Sequence, residues 1–445
     1  MIQPTQTQED DSTSVSEPQR VVWWRQLFFS LGYRDFRYLW IGQALQSEGQ
    51  WMEQVARGFL LWELSHDPFL LGLYATLRTA PALLLAVPAG ILTDRISRIA
   101  LIQFSQITAC VLAFAFAALV QTGLVQVWMI LVFAVVNGSS EVLRMPARQS
   151  MVATLVPGRD LLNAIAVNEV AQYTMRIAGP VLAGGLMSVF ADPFMGVAAV
   201  FYLRGILYLI AVVTTSRITA PPMPQEARQR TVFQNLGDTL RYLGNNRPLL
   251  ALAVLGAVPA AFGQPYQHLM PIFALDIFNV GPLGLGVMSS IVGIGALIGS
   301  LMLAGMGNLR QMGALLFGSL AVYGVSIILF GLTPWYLGAL ALLLAVGGSQ
   351  ACFLAMRQTL TQLLVRDEQR GRVVGVTQLT RGGLSPIGSL QAGALASIFG
   401  APAAVVVMGT TLGVIALMSG FFLPRVRGLE YSDEMRVRLE GGEAV

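Results

Sequence analysis

Ionisable side chains inside long apolar runs are the first residues here that invite a chemical reading. Gln43, Gln46, Gln50, Glu53 and Arg57 follow at steps of three, four, three and four. At 100° per residue such positions share one helix face, and that face is expected to line a polar cavity rather than meet acyl chains. Glu53 and Arg57 are also i, i+4, in the order that favours an ion pair. An internal salt bridge and a proton-handling site both fit them. Glu48 falls on the opposite face, against a neighbouring helix. Arg78, Glu141, Glu169, Arg176, Arg204, His268, Asp276 and Arg381 also interrupt apolar stretches. An ionised group at bilayer depth costs about 2.5–3.5 kcal/mol on insertion scales, which makes each a functional candidate. Arginine stays protonated and carries no proton cycle, whereas Glu53, Glu141 and Glu169 can exchange a proton. Arg78, Arg176 and Arg204 either neutralise those acids or bind an anionic substrate; the sequence leaves both open. His268 is expected at the rim of its span.

The elements that must position these charges are helices in lipid. The chain has 445 residues, 55% hydrophobic and only 12% charged, with mean hydropathy +0.64. A soluble domain carries about a quarter charged residues. Spans of about 20 apolar residues are expected at 36–61, 68–92, 99–121, 125–143, 161–190, 193–214, 249–275, 283–306, 312–331, 335–356, 373–399 and 403–423. These runs are too long for barrel strands and do not alternate, so helices are the option left. Residues 1–20 are polar and hold no apolar signal region; residues 21–33 are aromatic and basic, as an interfacial segment is.

The net charge of +4 comes from arginine alone, since the sequence holds no lysine. Its arginines scatter through short loops, which speaks against a nucleic-acid surface. They fall in every second loop. Arg95 and Arg98 follow span two; Arg144, Arg148 and Arg159 follow span four; Arg357, Arg366, Arg370 and Arg372 follow span ten. The alternate loops, around His66, Thr122, Asp192, Asn279, Thr333 and Ala401, carry none. By the positive-inside rule both termini are expected in the cytoplasm of a cell inner membrane or plasma membrane.

An internal repeat runs at an offset of 209 residues. Arg148-Gln149 meets Arg357-Gln358, Leu155-Val156 meets Leu364-Val365, Ala183-Gly184 meets Ala392-Gly393, and Pro193 meets Pro402. Six spans separate the copies, so both have one orientation. The expected layout is a tail at 1–35, a six-helix half at 36–215, a linker at 216–247, a second half at 248–424 and a tail at 425–445. Two parallel six-span halves are the architecture of major facilitator transporters.

Local motifs carry that resemblance along nearly the whole chain. Gly90-Ile-Leu-Thr-Asp94-Arg95-Ile-Ser-Arg98 resembles the G-x-x-x-D-R-x-G-R loop of the major facilitator superfamily, with Ser97 and Ile99 departing from it. The resemblance implies a latch between the halves. Gly305-Met-Gly-Asn-Leu-Arg310 is its degenerate counterpart. Gly179-Pro180-Val-Leu-Ala-Gly184-Gly185 is similar to the G-P-x-x-G-G antiporter motif with one extra residue, and ordinary small-residue packing also accounts for it. Pro146-Ala-Arg148-Gln149, Arg370-Gly371-Arg372 and Gln50-Trp51-Met52 match the drug-efflux and enterobactin-exporter branch. The chain is thus expected to be an all-α membrane protein, twelve transmembrane helices in two parallel six-helix repeats.

The expected function is secondary active transport. Proton-coupled efflux of an amphipathic small molecule by alternating access is the first reading; uptake of an organic anion and lipid flipping are the alternatives. Two histidines, His66 and His268, stand in no catalytic spacing, and Cys110 and Cys352 lie in apolar runs. No enzyme activity, metal, cofactor or nucleic-acid partner is expected, and no nucleotide-binding loop is present. The expected partners are a small-molecule substrate, protons and the lipid bilayer, for a functional monomer.

Overall fold

The structure is a computed structural model and describes residues 28–219, 241, 244, 247–306, 311–365 and 369–422. The first half holds α1 (Arg34–Ser65), α2 (Pro68–Arg95), α3 (Arg98–Gln121), α4 (Val127–Leu155), α5 (Leu161–Val189) and α6 (Pro193–Ser216). The second holds α7, in two pieces as α7a (Arg247–Val258) and α7b (Tyr266–Ile272), then α8 (Gly281–Gly305), α9 (Met312–Leu332), α10 (Tyr336–Leu364), α11 (Arg370–Phe399) and α12 (Ala401–Phe422). α4 and α10 are both 29 residues long and start at Val127 and Tyr336, 209 residues apart; α5 and α11 start at Leu161 and Arg370, again 209 apart.

Among the described residues nine helices are long and apolar enough to cross a membrane. α1, α5 and α11 have the length but not the apolarity. They are the helices interrupted by Gln43, Gln46, Gln50, Glu53 and Arg57, by Glu169 and Arg176, and by Arg381. Helices this polar need neighbours to screen them from lipid. Side chains on the outer wall, such as Leu84, Leu162, Val189, Leu417 and Phe421, are exposed and apolar, as a lipid-facing surface requires.

Local chemistry sets the ends. Asp67-Pro68-Phe69 opens α2 and Asp192-Pro193-Phe194 opens α6. Each aspartate Oδ1 accepts from the phenylalanine N–H, at 2.8 and 2.9 Å, and each proline takes the first turn, where its missing N–H costs nothing. α7 is interrupted by wide π turns at Pro259–Gly263 and Phe273–Ile277. Pro259, Pro265 and Pro271 remove backbone donors along this stretch, and the wider turns absorb the mismatch.

The halves join at the end of the bundle where α1 stops and α2 starts. Trp62 Nε1 donates to Asp276 Oδ1 at 3.0 Å. Thr76 Oγ1 donates to the Pro386 carbonyl at 2.8 Å, and Ser290 Oγ to the Ile177 carbonyl at 2.6 Å. Two seams close there on glycine. A Cβ on Gly72 would lie 2.8 Å from Gly393 Cα, and one on Gly184 would lie 3.2 Å from Gly286 Cα. Only glycine lets the backbones of α2 and α11, and of α5 and α8, come so near.

Outside the spans, Tyr33 Oη donates to Asp160 Oδ2 at 2.6 Å. That bond to a carboxylate holds the phenol above its ordinary pKa. Arg159, beside the same pair, is held above its own by Tyr33 and Asp160.

Candidate functional site

A buried charge network occupies the middle of the first half. Glu53 is fully buried and forms ion pairs with both Arg57 and Arg204. Asn137 Nδ2 donates to its two oxygens at 3.2 and 3.3 Å. Arg57 donates to Tyr74 Oη and stacks at 5.0 Å on the Tyr74 ring; Arg204 stacks at 4.9 Å on Tyr208. Four helices, α1, α2, α4 and α6, thus converge on one carboxylate. A carboxylate buried this way is tolerated because every charge has a partner.

Beside the network lies a cavity of about 720 Å³ between the halves. Its walls come from α1, α2, α4, α7b, α8 and α11. The polar wall includes Gln50, Gln54, Arg78, Glu141, Gln267 and His268; the apolar wall includes Val55, Leu71, Leu83, Val142, Met145 and Leu285. Glu141 accepts from Arg144 Nε at 3.2 Å and from Nη2. The glycine seams close the cavity at the far end. Leu83, Met145 and Gln149 extend its walls toward the end where α1 starts and α12 stops. A volume of this size suits a drug-sized solute.

The expected polar face of α1 is real, but most of it turns elsewhere. Gln50 lines the cavity; Gln43, Gln46, Glu53 and Arg57 are buried inside the first half. α4 and α6 bring Asn137 and Arg204 onto that face, so the helix rotates its charges toward them. The cavity instead meets the adjacent strip, Gln50, Gln54, Val55 and Gly58. Arg204 is neutralised by Glu53 and does not reach the cavity wall. Arg176 stacks at 5.4 Å on the Trp51 ring. Glu169 is exposed on α5 and lies off the cavity wall. His268, expected at a rim, lines the cavity, because the broken α7 sets α7b against it. Glu48 is buried on the far face of α1, and neither carboxylate oxygen has a hydrogen-bond partner.

The motif glycines divide their work. A Cβ on Gly179 would meet Trp51 of α1 at 2.7 Å; Gly184 meets Leu283 Cα of α8 at 3.1 Å; Gly185 meets nothing. The Pro180 carbonyl abuts Gly286. Arg98 Nη1 donates to Thr154 Oγ1 at 3.1 Å, tying α3 to α4. The surroundings of Gly90 and the side chains of Asp94, Arg95 and Arg381 lie outside what the structure describes.

Tyr74, Asn137 and Tyr208 were not singled out from the sequence. Asn137, Glu141, Arg144 and Arg148 step by four, three and four along α4, the same spacing that flagged α1. Tyr74 stands four before Arg78, and Tyr208 four after Arg204. Spacing was therefore a usable signal for them.

Residues 28–438 match the family described as transmembrane secretion effector. The chain is 24% identical over 400 residues to the staphyloferrin A transporter of Staphylococcus aureus, covering 86% of this chain and 95% of the relative. It is 22% identical over 387 residues to macrolide efflux protein A of Streptococcus pyogenes, covering 86% and 94%. In fold it resembles a bacterial homolog of the human lysosomal transporter Spinster, solved inward-facing and unoccupied. The TM-score is 0.71 at 15% identity, over 90% of this chain and 98% of that one.

Proposed function

The chain belongs to the transmembrane secretion effector family of the major facilitator superfamily, and from that premise we propose that it exports an amphipathic small molecule by proton-coupled alternating access. The observation that carries this reading is the cavity of about 720 Å³, walled by helices of both halves and shut at one end by glycine seams. Arginine placement supports a cytoplasmic location for the termini, so the cavity opens inward. Relatives named for staphyloferrin A transport and macrolide efflux support small-molecule cargo.

Glu141 is the coupling carboxylate in this reading. It lines the cavity, and its side chain is about a third exposed (32%). Glu53 is sealed between two guanidiniums, and Glu169 lies off the wall. A proton on Glu141 weakens its hold on Arg144, and the two conformations need only differ in how well they keep that pair.

The test is flux in proteoliposomes under an imposed pH gradient, with labelled staphyloferrin A as probe. Gradient-driven accumulation is expected in the wild type, is lost in Glu141→Gln and is kept in Glu169→Gln. A gradient without effect on wild-type flux removes the coupling. Accumulation in the opposite sense converts the reading to uptake.

A further inference from the structure

The charges around the cavity do not balance. Four guanidiniums, Arg57, Arg78, Arg144 and Arg204, surround two carboxylates, Glu53 and Glu141. Adding the neighbouring pair Arg148 and Glu169 leaves the same excess. Both carboxylates are already taken. Glu53 is shared by Arg57, Arg204 and Asn137. Glu141 is gripped by Arg144 through two of its nitrogens.

Arg78 is left over. It projects from α2 into the cavity wall and makes none of the ion pairs formed among the described residues. The sequence places it about ten residues, hence roughly 15 Å, into the span. An arginine cannot discharge itself by losing its proton. Keeping it in a low-dielectric interior is costly unless something compensates. Arg204 is paired with Glu53, and Arg176, stacked on the Trp51 ring, lies off the cavity wall. Glu53 and Glu141 attract Arg78 from a distance, but neither pairs with it, so the cavity wall presents one guanidinium whose planar fork matches a carboxylate.

We propose that the exported molecule carries a carboxylate or an equivalent oxyanion, that Arg78 binds it, and that the apolar wall of Val55, Leu71, Val142, Met145 and Leu285 takes the rest of the molecule. This rests on the cavity being the transport site. The substrate class is then an amphipathic acid rather than a neutral or cationic drug. Gln50, Gln54 and Gln267 supply amides for further polar groups on it, and His268 stands close enough to Arg78 to feel its charge.

The experiment uses 1-pyrenebutanoate and its methyl ester, which share one aromatic body and differ by one charge. Each is titrated onto the full chain in nanodiscs of zwitterionic lipid, with empty nanodiscs subtracted. The wild type is expected to bind the acid about tenfold or more tightly than the ester, in keeping with one charge-assisted bidentate contact. Arg78→Gln is expected to bring the two within about twofold while leaving ester affinity in place. Arg78→Lys, which keeps the charge and loses the fork, is expected to retain part of the preference. Equal wild-type affinities overturn the assignment of Arg78 while leaving the cavity occupied. A preference undiminished in Arg78→Gln overturns it too. If Arg78→Gln binds neither probe, the lysine variant decides: a full loss of preference there overturns the carboxylate contact. Failure of both probes to bind the wild type overturns the cavity reading together with this one.

Discussion

The two halves share a backbone plan and have unlike interiors. All four ion pairs among the described residues lie in the first half. Along α4, Asn137, Glu141 and Arg144 build its polar interior. The positions 209 residues later on α10 are Val346, Gln350 and Phe353. Gln350 makes a neutral contact, donating to Tyr323 Oη at 3.0 Å. The described interior of the second half packs aromatic rings, with Phe273 and Phe330 centroids 4.6 Å apart, and glycine contacts, with Arg357 as a buried charge among them. A Cβ on Gly299 would sit 2.8 Å from Gly348 Cα, and one on Gly324 would sit 2.8 Å from Gly413 N. Lipid offers no hydrophobic drive between helices, so each half needs another source of cohesion. The first uses directional, mutually dependent charges. The second uses close backbone approach, where many small dispersion terms add. Polarity suits the half that holds Arg78 and Glu141 beside the cavity, since those side chains need electrostatic support.

The contrast can be broken at its strongest point first. Glu53→Gln leaves two buried guanidiniums without their carboxylate and is expected to cost about 3–5 kcal/mol. Thermal unfolding of the purified protein measures it; a change within error of wild type would mean the network is ornamental. In the second half, Gly295→Val drives a side chain into the α10 backbone at Gly348 N, 3.1 Å from the first added carbon. The expected loss is about 1–3 kcal/mol, and unlike the first half's it should not depend on pH, because no titrating group is removed. Equal pH sensitivity in both variants would erase the distinction between the interiors.

The seams between the halves carry the next effect in size. Gly184→Val should spoil the α5–α8 contact and shift the population toward an open far end on the order of tenfold, about 1.4 kcal/mol. Spin labels at Asp192 and Asn279 report the distance; an unchanged distribution argues that the seam does not hold the closed state. The smallest effect is expected at the interface outside the spans. The Tyr33 phenol has a raised pKa because it donates to Asp160. The stability it contributes is complete below the unfolded value near 10 and is lost as pH rises through the higher folded value. Tyr33→Phe should remove that alkaline dependence from the unfolding curve, and its persistence would assign it to another group.

Much of the fold was legible beforehand because its causes are local. Apolar length marked the spans, proline with aspartate marked the starts of α2 and α6, and the offset of 209 marked the repeat. The candidate site was half legible. The three, four, three, four rhythm from Gln43 to Arg57 correctly joined these residues on one face but assigned that face to a cavity. Asn137 and Arg204 claim most of it instead. His268 was displaced from rim to wall by turns in α7 that no periodicity announces. Glu48 was set on the far face of α1, yet only the packing there shows that neither of its oxygens finds a hydrogen-bond partner among the described residues.

Sequence alone determined that this chain is a bundle of membrane helices in two parallel copies, and which residues carry charge into it. Helix formation and insertion depend on the composition of each segment, because every backbone polar group in lipid must be satisfied within its own helix. What only the tertiary structure decided is where each charged side chain points. A helix rotates about its axis at little local cost, so its neighbours choose the face. Arg57 and Arg204 thereby became partners of Glu53, and Arg78 was left facing the cavity as a guanidinium that forms no ion pair among the described residues.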